Sequence, residues 1–240
     1  MTPSGAALAQ ASQDNRRLTE KGQATRARIV AAAARLLHDR GAARTSVEDV
    51  RLAAEVSSSQ LYHYFTDKSA LVRAVVVYQT ERVLDYQRPP LGELDTIEAL
   101  TAWRDAFVEL HERRRCLGGC PLGSLVGQLA GTDEQARIEL EGAFERWREP
   151  IRAGLASMRA GGALDPRADP DRLSVALLAA LQGGLLLGQA RQDSAPLRDA
   201  LDTVLDHIRL LALPVPAVAS PAGGTESAVQ GPPGESAADC

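Results

Sequence analysis

Aromatic residues make up only 4% of this 240-residue chain, and it holds just three cysteines, two methionines and four histidines. The cysteines, Cys116, Cys120 and Cys240, are odd in number, so a fully paired disulfide framework is excluded. No basic-then-apolar leader with a small-residue cleavage site opens the sequence, and a reducing cytoplasm is the expected compartment. Strand-type alternation is missing, as are a Gly-rich phosphate loop, a nucleophile elbow and paired histidine ligands. No catalytic residue, cofactor or metal is therefore expected, and His111, Cys116 and Cys120 match no usual zinc spacing. The longest uncharged stretch, Leu173 to Ala190, is interrupted by Ser174, Gln182 and Gln189. A bilayer needs about 20 predominantly apolar residues, so this segment reads as a buried interface helix and no membrane partner is expected.

What the chain does contain is helix-forming. Hydrophobic residues make up 45%, dominated by Ala and Leu, with Arg and Glu interspersed at helical intervals, which predicts an all-α protein. The net charge of −4 is unevenly placed. Nine Arg and two Lys face six acidic residues between Asn15 and Arg73, a net of +5 that leaves −9 on the remainder. A basic head on an acidic body fits a protein in which only the head neutralises phosphates.

Four domains are predicted: an arm over 1–22, a helix-turn-helix domain over 23–87, a larger helical domain over 91–212, and a disordered tail over 213–240 rich in Pro, Gly, Ala and Ser. Ile29, Ala33, Leu36 and Leu37 mark a first helix from about Thr25 to Asp39, with Gly41 just past it. Thr45 lies three residues before Glu48 and Ser57 three before Gln60, which predicts two short helices, each opened by a capping box. Thr66-Asp67 then caps a fourth helix that ends at about Gln87, before Arg88-Pro89-Pro90.

Five further helical segments follow, at 96–115, 121–130, 133–160, 170–191 and 196–211, with a kink or break expected in the third because Pro150 lies inside it. Trp103, Phe107, Phe144 and Trp147 lie on apolar stripes and are candidates to line a ligand pocket, or equally ordinary core. Ala176, Ala180, Gly184 and Gly188 recur every fourth residue, a pattern that lets another helix approach closely. Together with Leu181, and with Leu201 and Leu205 of the last segment, they are the predicted homodimer interface, a four-helix arrangement about a two-fold axis.

The stretch from Thr25 to Val77 resembles the DNA-binding domain of the TetR family of bacterial regulators. The resemblance rests on Ile29, Ala32, Ala33, Leu36 and Gly41, on Thr45-Ser46-Val47-Glu48-Asp49-Val50, on Val56-Ser57, on Leu61-Tyr62-His63-Tyr64-Phe65, and on Lys68 and Leu71. It implies a transcriptional regulator, most simply a repressor, with operator double-stranded DNA, a small-molecule effector and a second copy of itself as partners. The helix from Ser57 to Tyr64 would enter the major groove. Arg44, Thr45, Ser46, Ser57, Ser58, Ser59, Gln60, Tyr62, His63 and Lys68 are the candidate DNA-binding residues, from their hydroxyls, amides and positive charge. Thr45 and Ser57 serve equally well as plain caps.

Two departures from the family pattern matter. Glu55 stands in the turn where the family usually has Gly, and the recognition helix has no Lys or Arg. Gly119-Cys120-Pro121-Leu122-Gly123-Ser124-Leu125 resembles a motif from the branch containing flavonoid-responsive and electrophile-responsive repressors. In that branch a cysteine here can be a redox sensor. Cys120 opens a predicted short helix whose positive end favours thiolate, yet the favoured expectation is a small buried hydrophobe in a packing motif. Of the competing readings, a helical interaction protein without DNA binding would not need the capped short helices or the basic arm, and an all-helical enzyme would need convergent ionisable residues that His111, His207 and the cysteines do not obviously supply.

Overall fold

The computed structural model describes residues 18–87 and 93–213. Those residues form nine α-helices: α1 (Glu20–Arg40), α2 (Val47–Ala53), α3 (Ser58–Tyr64), α4 (Lys68–Gln87), α5 (Ile97–Arg113), α6 (Pro121–Leu129), α7 (Glu134–Ala160), α8 (Pro170–Arg191) and α9 (Ala195–Leu210). No strand occurs among them, and one antiparallel bridge links Leu164 to Ala212. The expected all-α class is what the chain adopts. The segments read as arm over 1–17, as helix break over 88–90 and as tail beyond Leu213 lie outside the described residues.

Within them the arm is shorter than expected, because α1 already begins at Glu20. Thr19 caps it, its hydroxyl accepting from the Gly22 N–H at 3.2 Å. The sequence pattern missed this start because the early turns of α1 are largely exposed and carry no apolar stripe until Ile29.

The first short helix starts one residue later than predicted. Ser46, not Thr45, is its N-cap, and the capping box pairs Ser46 with Asp49 instead of Thr45 with Glu48. Thr45 is buried and its hydroxyl donates to the carbonyls of Gly41 (2.8 Å) and Leu36 (3.3 Å). The Gly41 carbonyl lies just past the end of α1, where it has no helical partner. The second box, Ser57 with Gln60 at the start of α3, forms as predicted.

Helices α1 to α3 pack around Ile29, Val50, Leu61 and Phe65. The long helix α4 lies against α1 on one side and α7 on the other, burying Leu71, Val72, Val75 and Val76. It therefore belongs to both the small head and the larger body. In the body, Trp103, Leu140, Trp147, Ile151 and Leu155 from α5 and α7 are almost wholly excluded from water. Each large apolar side chain buried this way stabilises the fold by about 1.5–3 kcal/mol.

Helix α7 is unbroken across Pro150, contrary to a break there. Pro150 sits on the exposed side of the helix, so its ring displaces nothing from the core and its cost is the one helical hydrogen bond it cannot donate.

The small-residue stripe of α8 is spent inside the chain. A Cβ at Gly184 would lie 2.6 Å from the Leu197 Cα of α9, and one at Gly188 would lie 2.6 Å from His111 Nε2 of α5. Leu181, Leu201 and Leu205 are fully buried with them. Five of the seven predicted interface residues thus hold α8 against its own neighbours, because close approach by a partner and by a neighbouring helix leaves the same sequence pattern.

The opposite face of α8 is open. Val175, Ala179, Gly183, Leu186 and Ala190 follow one another at helical spacing and are exposed, with Leu187 beside them. Of the described helices, α8 is the one long and apolar enough to cross a membrane by composition, yet nearly half of its most apolar stretch is buried within this fold.

Candidate functional site

Two features stand out: the outer surface of the small head and a cavity behind it. On the head, Arg44, Ser46, Ser57, Ser58, Ser59, Gln60, Tyr62 and His63 are all exposed. Leu61 and Phe65 point the other way, at 1% and 3% exposure, and this fixes which side of α3 faces water. Tyr62 is 59% exposed, an unusual position for a large aromatic side chain.

Capping limits what some of these groups offer. The Gln60 carboxamide oxygen accepts from the Ser57 N–H at 2.9 Å, which leaves its NH2 group as the outward donor. The Ser57 and Ser59 hydroxyls lie 3.0 Å apart. Thr45 is removed as a side-chain contact by its burial. The hydrogen bond from Ser46 draws the Asp49 carboxyl below its ordinary range, so that acid stays charged at the N-terminus of α2.

Lys68 does more than carry charge. Its ammonium donates to the Ala42 carbonyl at 2.7 Å, pinning the start of α4 to the loop between α1 and α2. Ser46 and Lys68 border one small cleft, so tertiary structure brings the starts of α2 and α4 together. Arg28 donates to the Ala54 carbonyl at 2.9 Å and Arg51 to the Val56 carbonyl at 3.1 Å, holding the turn between α2 and α3 from both sides. Glu55 in that turn takes a left-handed backbone, φ +53°, the conformation for which glycine is the usual residue.

The cavity has a volume of about 690 Å³ and lies where α1, α4 and α5 meet, closed by the loop before α6 and by single residues from α7 and α8. Of the five pocket candidates it gathers Phe107, Cys120 and Trp147. Trp103 and Phe144 are corrected: Trp103 is fully buried and packs edge-on against Phe107 at 5.1 Å, while Phe144 stacks behind Trp147 at 6.1 Å. The cavity therefore opens between α5 and the head, not between α5 and α7 alone. Its α1 and α4 wall, including Ala31, Arg35, Tyr78, Arg82 and Tyr86, escaped the sequence reading because apolar periodicity identifies buried stripes and these residues are mixed in character.

Two buried nitrogens on lining side chains, His111 Nε2 and Trp147 Nε1, have no hydrogen-bond partner among the described residues. Burial pushes the His111 pKa down, Glu112 opposes this and Arg114 adds to it. The imidazole is accordingly neutral at pH 7.

Cys120 caps α6, its sulfur accepting from the Gly123 N–H at 3.4 Å. Burial nevertheless raises the thiol above its ordinary pKa, outweighing that bond and those from Gln182 and Leu122. The helix end therefore does not produce the thiolate that position alone suggested, because loss of hydration is the larger effect. Burial raises Cys116 likewise. No cluster of three or more His, Cys, Asp or Glu suited to a metal occurs among the described residues.

Two short helices, each with a reciprocal cap, an outward-facing second helix and a rigidly held turn define a helix-turn-helix DNA-binding protein. Residues 29–75 match the family model for bacterial regulatory proteins of the tetR family. Residues 96–203 match the model for the C-terminal domain of LmrA/YxaF-like transcriptional regulators. Among curated relatives, the HTH-type transcriptional repressor DhaR of Mycobacterium sp. (strain GP1) is 26% identical, the match covering 71% of this chain and 85% of that one. The HTH-type transcriptional regulator TtgR of Pseudomonas putida is 28% identical over 81% and 96%. A TetR transcriptional regulator from Chloroflexus aurantiacus, known from its crystal structure, superposes with a TM-score of 0.71 at 29% identity, over 81% of this chain and 98% of that one.

The chain belongs to the TetR family and is a DNA-binding regulator of transcription.

Proposed function

We propose that the protein is a cytoplasmic, homodimeric, non-enzymatic repressor that leaves its operator when a small molecule occupies the cavity behind its head. The observation that carries this reading is the make-up of the cavity wall. Ala31, Ala34, Arg35 and His38 come from α1 of the head, and Phe107, Leu110 and His111 come from α5 of the body. An occupant that binds one head orientation more tightly than another shifts the equilibrium by that difference in affinity.

The DNA-binding unit in this reading is α1 to α4, about 20–87, and the effector-binding and dimerisation unit is 91–212. Arg44, Ser46, Ser57, Ser58, Ser59, Gln60, Tyr62, His63 and Lys68 meet the operator. Base readout rests on Ser58, Ser59, Gln60 and Tyr62, since α3 offers no Arg or Lys. The partner copy docks on the exposed face of α8 around Val175, Ala179, Gly183, Leu186 and Leu187, with Ala176 and Ala180 at its margin. The C-terminal match spans the Gly119–Gly123 motif, which supports placing the chain in that branch of the family. A reversible ligand, not thiol chemistry, is the favoured signal, because burial holds Cys120 protonated.

Selection of bound duplexes from a random-sequence pool, followed by footprinting, tests the reading and itself yields the operator sequence. Enrichment of a two-fold symmetric site with half-sites about 34 Å apart, or a multiple of that, is the expected result. Failure to enrich any sequence would overturn it.

A further inference from the structure

Resting on the reading of this cavity as the effector site, we infer that the effector is an organic anion: an acidic group on an apolar, aromatic body. The cavity is amphipathic in a specific sense. Its floor is apolar, with Phe107, Cys120, Trp147 and Leu185 all nearly excluded from water. Its outer wall carries Arg35, Arg82 and Arg114, all exposed, and no Asp or Glu lines it among the described residues.

That wall is not a sample of the rest of the protein. Acidic residues outnumber basic ones in the chain, 31 to 27. Elsewhere in the body most of the described arginines meet carboxylates, among them Arg104 with Asp202 at 3.3 Å, Arg146 with Glu81 at 2.8 Å, Arg148 with Glu145 at 2.7 Å and Arg152 with Glu149 at 2.7 Å, while Arg115, Arg159, Arg172 and Arg191 form no such pair among the described residues. Around the cavity none of the three meets a carboxylate, and none lines the wall to meet them, among the described residues. Arg82 turns to the Tyr78 hydroxyl at 3.0 Å and lies over its ring at 5.5 Å, while Arg35 and Arg114 take part in no ion pair among the described residues.

Three exposed guanidinium groups with no carboxylate among them set a positive potential at the mouth of an apolar floor, which a carboxylate, sulfonate or phosphate there would neutralise. The unpaired Trp147 N–H adds a neutral donor on the buried side. A cationic or purely apolar ligand of the same size would leave the arginines unpaired or repelled. The charges also belong to different parts of the protein, Arg35 to the head and Arg82 and Arg114 to α4 and the end of α5. An anion among them therefore draws together elements that carry like charge without it, which gives it a differential affinity for one head position.

The test uses two dyes that share an arylnaphthylamine skeleton, 8-anilinonaphthalene-1-sulfonate and the neutral N-phenyl-1-naphthylamine, titrated by fluorescence into the full-length protein. In the double variant Arg35→Gln, Arg82→Gln, both exposed positions, the sulfonate is expected to bind at least about tenfold more weakly, while the neutral dye changes by less than about twofold. Equal effects on both dyes, or none on either, would overturn the anion inference. Leu110→Trp, which narrows the cavity, separates the two levels of the argument, with helicity measured by circular dichroism to verify the fold. If Leu110→Trp weakens both dyes while the arginine variant does not discriminate, the cavity stands as the binding site and the anion inference falls. If it affects neither dye, or if neither dye binds the unaltered protein, the cavity reading falls and the inference with it.

Discussion

The side-chain oxygen of Gln128 in α6 accepts a hydrogen bond from the Ala42 N–H at 2.6 Å, across the seam between body and head. Gln128 is itself steadied by its donation to Ser124 at 2.9 Å, and the carbonyl of the same Ala42 accepts from Lys68. The residue that leads into α2 is thus held from the body on its nitrogen and from α4 on its oxygen. At its other end α6 begins with Cys120 and Pro121, which line the cavity. A helix of nine residues, about 13 Å long, connects the cavity to the loop that positions Ser46.

Gln128→Leu removes that acceptor and leaves the Ala42 N–H unpaired in a half-buried position. A stability loss of about 1–2 kcal/mol is expected from chemical denaturation. Operator affinity should be nearly unchanged, while the effector concentration needed for release rises. An unaltered release curve, read by fluorescence anisotropy, would show that α6 does not conduct the signal.

Tyr62→Ala is expected to abolish operator binding with no loss of helicity, since the ring is exposed and the core around Leu61 is untouched. Lys68→Ala is a poorer probe, because it also breaks the bond to Ala42. Affinity should fall with salt by about 0.9 log units per log unit for each phosphate neutralised, and a flat salt profile would exclude the basic head as the contact surface. Glu55→Gly relieves a left-handed backbone and removes a negative charge from the turn. Tighter operator binding and a gain of about 0.5–1 kcal/mol in stability are expected, the chain entropy of glycine offsetting part of the relief.

Leu181 and Leu186 lie five residues apart on α8 and should behave oppositely. Leu186 is 67% exposed, and Leu186→Asp should give a folded monomer by sedimentation with operator binding lost. Leu181 is fully buried, and Leu181→Asp should reduce helicity itself, as an unpaired charge in a packed core does. A dimeric Leu186→Asp protein would remove this face from the interface.

His111 makes the fold acid-sensitive. Burial lowers its pKa below the ordinary 6.5, so the folded chain binds fewer protons than the unfolded chain as pH falls below that value. Its contribution to stability is whole above 6.5 and is lost as pH drops through the folded-state value. Melting temperatures measured between about pH 7 and 5 should decline in the unaltered protein and decline less in His111→Gln. Equal slopes would mean the imidazole is solvated in both states.

Much of the head was legible because its signals are local. Capping and helical periodicity act over three to eight residues, so Ser57 with Gln60, the stripe through Ile29 and Leu36, and the run from Leu61 to Phe65 could be read directly. The one-residue error at α2 shows where locality ends. Thr45 and Ser46 are both competent caps, and what decides between them is the Gly41 carbonyl at the end of another helix, which claims the Thr45 hydroxyl.

The body was legible as helices but not as surfaces. Gly184 and Gly188 permit close approach whichever helix approaches, and only the packing shows that Leu197 and His111 occupy that space, leaving Val175 and Leu186 for a partner. The cavity is the clearest case. Arg35, Arg82 and Arg114 are far apart in the chain and carry no shared motif, so their common exposure to one opening exists only after α1, α4 and α5 have packed. By itself the sequence determined an all-helical chain with a DNA-reading head, because those properties follow from nearest neighbours along the helix. Which faces meet, which thiol stays protonated and which charges are left without a partner were decided by tertiary structure, because burial and long-range pairing are properties of the packed chain.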